Sequence, residues 1–174
     1  MKKIQCVGAG FNLAHSSNSN LKPKTFEWTS DHQDVQVLVD NAILYANKID
    51  KRFDQKRYGW VCESAAIVPQ LVGSLEDFYE VIIEEGEFEA IFTNSQKLLD
   101  IDDRFVYNST GSNLPWIPVE SWGLQDKLKV CSMVASPKLA CPGHQYRHEI
   151  ASRFKDKLDL YGGVHGSPRM GISD

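Results

Sequence analysis

The carboxyl-terminal part of the sequence predicts a strand, a helix and a second strand in close succession, and this order constrains the fold most strongly. The apolar run 129–136 is too short for a buried helix and is closed by a proline, so it predicts a strand. A helix is predicted to begin at Pro142, and 158–161 predicts the next strand, which runs into Gly162. A helix between two strands is typical of a parallel crossover. The chain is therefore predicted to contain parallel strands.

The spacing of apolar residues in this helix predicts which side faces the sheet. Tyr146, Ile150 and Phe154 recur every four residues and form one stripe. We expect this stripe to pack on the sheet. Three charged residues of the same segment are expected to face water: Arg147, Glu149 and Lys155.

The preceding part of the chain also alternates between strand and helix patterns. Strands are predicted at Lys3–Gly8, Asp34–Asp40, Tyr58–Ser64, Phe88–Asn94 and Arg104–Asn108, with a helix at Ser74–Gly86 and a helical turn at Gln96–Leu99. This order is typical of an α/β fold with a mostly parallel sheet covered by helices. The charged segment 48–57 is interpreted as a mobile connection. The segment 22–28 is interpreted either as the lining of a cleft or, preferably, as the edge of a core.

Charge and cysteine usage narrow the classes of function. The net charge is -4 and basic residues are interleaved with acidic ones, so the sequence does not predict nucleic-acid binding. The four cysteines show neither a C-x-x-C pair nor zinc spacing, which favours a reducing compartment. The first apolar run is interrupted by Gly8 and Gly10, too early for a signal peptide or a membrane span. We therefore expect a cytoplasmic protein.

Ligands of open parallel sheets bind beyond the carboxyl ends of the strands, so the residues at these ends are the candidates for a functional site. Glu63 ends one predicted strand, a position at which a carboxylate can act as a general base. The local sequence alone favours the alternative, an exposed glutamate or one that caps a helix. Gly8-Ala9-Gly10 ends another, but the third glycine of a dinucleotide motif is missing. A plain turn is favoured there over an oxidoreductase cofactor loop.

Two pairs of residues invite a metal assignment. Asp100 and Asp102 form a D-x-D pair, yet such a pair between a helix and a strand is usually a turn. His144 and His148 share one helix face, but a third ligand and the H-E-x-x-H order are not evident. The sequence therefore predicts no metal site.

Three segments, taken in order, resemble a known family: Phe88–Ser95, Lys129–Ser136 and Gly143–Gly163. They look like the α-1,3/4-fucosyltransferase-like glycosyltransferases of family 10, and the likeness extends in order from about Phe26. The resemblance implies a GT-B arrangement, in which two Rossmann-like domains with helices on both faces of the sheet border a cleft. Residues 1–125 would form the acceptor-side domain and 126–174 the start of the donor-side domain. GDP-fucose would be the donor substrate, with no cofactor.

The resemblance also implies roles for individual residues. Glu63 would act as general base on the acceptor hydroxyl, and Arg169 would grip the donor diphosphate, a task suited to a bidentate guanidinium. The resemblance places Gly162, Gly163, Ser136 and Arg147 at the cleft-facing end of the strand–helix–strand unit as substrate-binding candidates. Trp116 is a further substrate-binding candidate, not because of the resemblance but because aromatic faces stack on sugar rings.

The sequence leaves a second class of function open. The family continues beyond the point that corresponds to Asp174 into a donor-site segment. We therefore expect this chain to be either a fragment of a longer protein or a shortened protein that no longer transfers sugar by itself. The alternative is a non-catalytic module that binds glycans through Trp28, Trp116 and Trp122 or binds a protein partner. We further expect the carboxyl end of the second-domain segment either to be poorly packed or to pair with another copy of the chain.

Overall fold

The computed structural model describes residues 1–8, 25–108 and 131–164. The chain divides into two compact units, Met1–Ser121 and Trp122–Asp174. Within the described ranges, no helix combines the length and the apolar character that crossing a membrane requires.

The first unit contains one parallel sheet. Its strands are β1 (Lys2–Val7), β2 (Phe26–Thr29), β3 (Val35–Val39), β4 (Lys56–Trp60), β5 (Phe88–Thr93) and β6 (Phe105–Tyr107). All neighbouring strands are parallel, in the order β2-β1-β3-β4-β5-β6. The predicted α/β class and the parallel sheet are confirmed. Strand order reverses direction between β1 and β3, because β2 lies on one side of β1 and the later strands lie on the other.

Three helices connect the strands β3 to β6. They are a 3-10 helix at Asp40–Lys48, α1 at Pro69–Glu85 and α2 at Gln96–Leu99. Ile43, Leu75 and Leu98 of these helices pack in one cluster with Leu38 and Ile91 of the sheet. Side chains alternate across a strand, so this cluster covers one face only. All helices described in this unit lie on that face, and a helix on the other face stays a prediction.

The opposite face of the sheet carries a layer of aromatic rings. Trp28 stacks on Trp60 with ring centroids 6.4 Å apart, and Phe26 meets Trp28 edge-on at 5.0 Å. Tyr58 and Phe92 stack at 6.0 Å. Trp28 thus packs within a cluster of this face, and the preferred interpretation of its segment as the edge of a core agrees with its position in the edge strand β2.

A row of long polar side chains is buried on the helix-covered face. Gln5, Gln36 and Arg57 lie opposite one another on β1, β3 and β4, and each is at most 5 % exposed. Arg57 Nε donates to Gln36 Oε1 at 2.6 Å, and Gln36 Nε2 donates to Gln5 Oε1 at 3.0 Å. The other Arg57 nitrogens donate to the carbonyl oxygens of Ala46 (3.0 Å), Gly86 (3.0 Å) and Ile49 (2.9 Å).

Arg57 links two helices to the sheet. The three backbone carbonyl oxygens that accept its hydrogen bonds lie at or just beyond the carboxyl ends of the 3-10 helix and α1. Helix carboxyl ends carry partial negative charge and unpaired carbonyls, which a buried guanidinium satisfies. Burial lowers the pKa of Arg57, and Glu87 and Asp50 act in the opposite direction. The interpretation of 48–57 as a mobile connection is therefore wrong at its carboxyl end, where Arg57 is a buried residue of β4.

Some predicted boundaries and faces also differ from the structure. The strand predicted at Tyr58–Ser64 lies at Lys56–Trp60, so Glu63 follows the strand instead of ending it. In the helix predicted at Ser74–Gly86, the spacing of Leu75, Phe78 and Ile82 predicts one buried apolar stripe, yet Phe78 is 63 % exposed. The backbone of α1 leaves helical geometry at Phe78, with φ -135° and ψ 25°, so a single apolar stripe does not describe this helix.

The second unit is the predicted strand–helix–strand motif. It consists of β7 (Ser132–Val134), α3 (Pro142–Arg153) and β8 (Asp159–Tyr161), and the two strands are parallel. Its core is formed by Ala135, Ala151 and Val164, with Met133 and Leu160 packed against them. The predicted stripe on the helix is wrong in part. Tyr146 is 63 % exposed, because α3 meets its core through Ala151 instead.

Two glycines of the first unit should respond in opposite ways to alanine. A Cβ at Gly59 would lie 2.9 Å from Ile91 and 3.2 Å from Ile43, whereas a Cβ at Gly73 of α1 meets nothing within 4 Å. We expect Gly59→Ala to lower the free energy of unfolding by about 1–3 kcal/mol through overpacking. Gly73→Ala should raise it by up to about 1 kcal/mol, since alanine favours a helix. Urea denaturation followed by circular dichroism measures both changes, and a neutral Gly59→Ala would contradict the tight packing.

Candidate functional site

The carboxyl edge of the six-stranded sheet collects the residues that follow its parallel strands. Gly8 follows β1, Asp40 follows β3, Glu63 comes three residues after β4, and Asn94 follows β5. Ligands of open α/β sheets bind where the strand order reverses, which here is between the ends of β1 and β3. Gly8 and Asp40 therefore lie at the favoured position.

Gly8 is needed for a close backbone contact. A Cβ at this residue would lie 2.7 Å from the carbonyl oxygen of Val39, the last residue of β3. Close packing of β1 against β3 thus explains this glycine without a cofactor. Ala9 and Gly10 lie outside the described residues.

Glu63 is presented on a loop that is held by backbone hydrogen bonds. Val61 N–H donates to the carbonyl oxygen of Phe92 at 2.8 Å, which continues the ladder beyond β4. The carbonyl oxygen of Ser64 accepts the N–H groups of Ile67 (2.8 Å) and Val68 (3.0 Å). Between these anchors the side chain of Glu63 is exposed. A carboxylate on a held loop at this edge can accept a proton from a bound hydroxyl group.

Asp40 binds the same loop through its side chain. Its Oδ1 accepts the N–H of Cys62 at 2.8 Å and the N–H of Glu63 at 3.3 Å. The sequence patterns do not indicate a functional role for Asp40. The available signal was its position directly after the β-branched strand β3, which places it at the same edge as Glu63.

The two cysteines of this region are not activated nucleophiles. Burial raises the pKa of Cys6 to about 12. Burial, with a smaller effect from the charge of Asp40, raises the pKa of Cys62 to about 12 as well. Both thiols are therefore protonated at neutral pH, and the thiolate that nucleophilic chemistry needs is not formed.

In the second unit, Ser136 and the two glycines Gly162 and Gly163 meet at the carboxyl edge of the small sheet. Ala135 N–H donates to Tyr161 O at 2.9 Å, and a Cβ at Gly162 would lie 2.7 Å from Ala135 O. Gly162 and Gly163 have φ of 91° and 89°, values that favour glycine. Close approach and backbone conformation thus both account for the glycine pair.

The helix α3 contributes two kinds of side chain to this unit. Arg147 is exposed on its second turn. His148 Nε2 lies 3.2 Å from Ser136 O, and His144 Nδ1 is buried without a hydrogen-bond partner among the described residues. The remaining substrate-binding candidates, Arg169 and Trp116, lie outside the described residues, as does Trp122.

The D-x-D pair is occupied by contacts within its own turn. Both carboxylate oxygens of Asp102 accept hydrogen bonds from Arg104 at 2.8 Å, and Asp100 Oδ1 accepts one from Gln96 at 2.7 Å. These contacts favour the turn interpretation over a metal site. In the ranges that the structure describes, no group of three or more potential metal ligands is found.

The contact between Asp102 and Arg104 should make the free energy of unfolding depend on pH in the acidic range. Hydrogen bonds from Arg104 lower the pKa of Asp102 from 3.8 to about 2. The contribution of this contact to the free energy of unfolding is therefore complete at pH values above the pKa that Asp102 has in the unfolded chain. It is lost as the pH falls from about 4 to about 2. We expect Asp102→Asn to lower the free energy of unfolding near neutral pH by less than about 1 kcal/mol, because the pair is partly exposed. Urea titrations across this pH range should show the difference from wild type shrinking, and a pH-independent difference would contradict the assignment.

A small cleft lies between the 3-10 helix and α1. It holds about 50 Å³ and is lined by apolar side chains, including those of Ile43 and Val81, together with Asn47 and Glu85. Pockets for small organic ligands usually span about 300–1,000 Å³, so this cleft is too small for a sugar. The carboxyl edge of the large sheet is thus the better candidate site.

Comparison of the chain with protein-family models, with curated proteins and with solved structures gives no match. The family resemblance described above therefore rests on the ordered motifs of this sequence.

Proposed function

We propose that this chain carries the acceptor-side domain and the first part of the donor-side domain of an inverting, fucosyltransferase-like GT-B glycosyltransferase. The donor is GDP-fucose and the acceptor is a hydroxyl group of a glycan. One observation carries the proposal from the side of the structure: Glu63 is an exposed carboxylate on a held loop at the carboxyl edge of a parallel sheet. The ordered sequence motifs supply the identity of the reaction.

The chemistry is a single displacement. Glu63 takes the proton of the acceptor hydroxyl while the oxygen of that hydroxyl attacks the anomeric carbon of fucose. The bond between that carbon and the phosphate oxygen breaks, and its electron pair leaves with GDP. Arg169 steadies the charge that grows on the diphosphate. The new glycosidic bond has the opposite anomeric configuration to the donor.

The proposal includes a cytoplasmic location. All four cysteines, Cys6, Cys62, Cys131 and Cys141, are free. Free thiols are typical of proteins from reducing compartments. Fractionation of cells that express the tagged protein would test the location.

Transfer and donor binding can be measured separately. The 174-residue chain, and any longer natural version of it, is titrated calorimetrically with GDP-fucose and GDP and then incubated with GDP-fucose and a panel of glycans. From the longer version we expect GDP release that depends on the acceptor, and a product whose anomeric configuration, read by NMR, is inverted. A retained configuration would reject Glu63 as a base in a single displacement. Binding of glycans without turnover in either version would assign the chain to the non-catalytic class.

A further inference from the structure

Asp40 adopts a backbone conformation that few residues accept. Its φ is 48°, in the left-handed region, directly after the last residue of β3. Aspartate and asparagine occupy this region more readily than most other residues with a side chain. Such conformations cluster at functional sites, where the surrounding structure holds them. Asp40 also lies where the strand order of the sheet reverses.

The side chain of Asp40 supplies bonds that the backbone of the Glu63 loop does not. Val61 before this stretch and Ser64 after it are held by backbone partners, whereas the N–H groups of Cys62 and Glu63 both donate to Asp40 Oδ1. A carboxylate that accepts backbone N–H groups makes stronger bonds than a neutral acceptor. Asp40 therefore completes the bonding of the loop at the residue that carries the candidate base.

We infer that Asp40 is a positioning residue that fixes the orientation of Glu63 toward the acceptor hydroxyl. This inference rests on the proposed function for the role of Glu63. The contact itself does not depend on the reaction. Three features combine in it: the left-handed backbone of Asp40, the two hydrogen bonds to Oδ1, and the place of both residues at one edge of the sheet.

Three variants separate the backbone conformation, the hydrogen bonds and the charge. Asp40→Gly accepts the same φ but has no acceptor atom. Asp40→Asn accepts the φ and keeps a carbonyl oxygen at the Oδ1 position without the charge. Asp40→Ala loses the acceptor and disfavours the φ. Comparison of the glycine and asparagine variants therefore isolates the hydrogen bonds.

The first measurement is independent of catalysis. Amide hydrogen exchange of Cys62 and Glu63 is followed by NMR, with Val61 as an internal reference. We expect Asp40→Gly to raise exchange at Cys62 and Glu63 by about 10-fold, the effect of losing one net hydrogen bond, and Asp40→Asn to raise it by a smaller factor, because its neutral carbonyl still accepts. Unchanged exchange in Asp40→Gly would overturn the inference.

The second measurement connects the contact to transfer. In the version of the protein that transfers fucose, we expect Asp40→Gly to lower kcat by about 100-fold with little change in the KM for GDP-fucose, since a misplaced base slows the chemical step. Asp40→Asn should recover most of kcat. If Asp40→Asn were as slow as Asp40→Gly while its amides stayed protected, a positioning role would be rejected in favour of direct contact with substrate. If wild type transfers no sugar, the proposed function fails, whereas the exchange result still decides whether Asp40 holds the loop.

Discussion

Replacing Glu63 by glutamine in the version of the protein that transfers fucose is expected to lower the rate of transfer by about 100- to 10,000-fold, the usual contribution of a general base. Glutamine has nearly the same shape as glutamate but does not take up a proton from a hydroxyl group. The hydrogen bond from the Glu63 N–H to Asp40 involves the backbone, so the substitution leaves it in place. The side chain is exposed, and the free energy of unfolding should change by less than about 0.5 kcal/mol.

A matched control is available on the same sheet. Glu89 is an exposed glutamate in β5, close to the amino end of its strand, and Glu89→Gln makes the same chemical change away from the carboxyl edge. We expect this variant to keep the wild-type kcat. Steady-state kinetics on both variants, with urea denaturation to check folding, measure the effect. A folded Glu63→Gln protein with the wild-type rate would remove the base from the mechanism.

Replacing Arg57 by leucine should cost about 3–5 kcal/mol in the free energy of unfolding of the first unit. The substitution leaves Gln36 Oε1 and the carbonyl oxygens of Ile49 and Gly86 without the donor that Arg57 supplies, whereas Ala46 O keeps its hydrogen bond from the Ile49 N–H. Each unsatisfied buried group costs about 1–3 kcal/mol, partly offset by the apolar contacts of leucine. Because small domains are stable by about 5–15 kcal/mol, this loss is a large fraction of the total.

Arg52 provides the control for the Arg57 variant. Its side chain is 47 % exposed and pairs with Asp34 at the surface, so Arg52→Leu should change the free energy of unfolding by less than about 1 kcal/mol. Arg57→Lys should be intermediate, because a single ammonium group replaces a planar fork that reaches several acceptors. Urea denaturation of the three variants tests this ranking. An Arg57→Leu protein as stable as Arg52→Leu would show that the buried row does not hold the helices to the sheet.

Local patterns were sufficient for most of the regular structure. The strands β1, β3, β5 and β6 and the parallel pair β7 and β8 lie within or close to their predicted ranges. Alternation of apolar residues and punctuation by glycine and proline act over a few residues, so a linear pattern contains them. The same kind of local pattern predicts Glu63 as a candidate site residue, since it places the residue at the carboxyl end of a strand.

Other features followed patterns that a linear sequence contains only weakly. The 3-10 helix begins with the left-handed Asp40 and includes no strong start signal, and β2 has only four residues. The four-residue spacing between Tyr146 and Ile150 predicts that Tyr146 lies on the buried side of α3. In the structure Tyr146 is exposed, and Ala151 is the residue of α3 that is buried in the small core. Periodicity predicts that a helix has an apolar side, whereas the partner that is present decides which residues are covered.

The sequence by itself determined the α/β class, the strand–helix–strand unit and the succession of most strands, because these depend on residues that are neighbours along the chain. The tertiary structure alone decided the order of strands in the sheet, the burial of Arg57 and the contact between Asp40 and the Glu63 loop. The Arg57 acceptors Gln36 and Gly86 are 21 and 29 residues away, and Asp40 and Cys62 are 22 residues apart. Interactions over such separations depend on how the strands are arranged in space, and no local propensity specifies that arrangement.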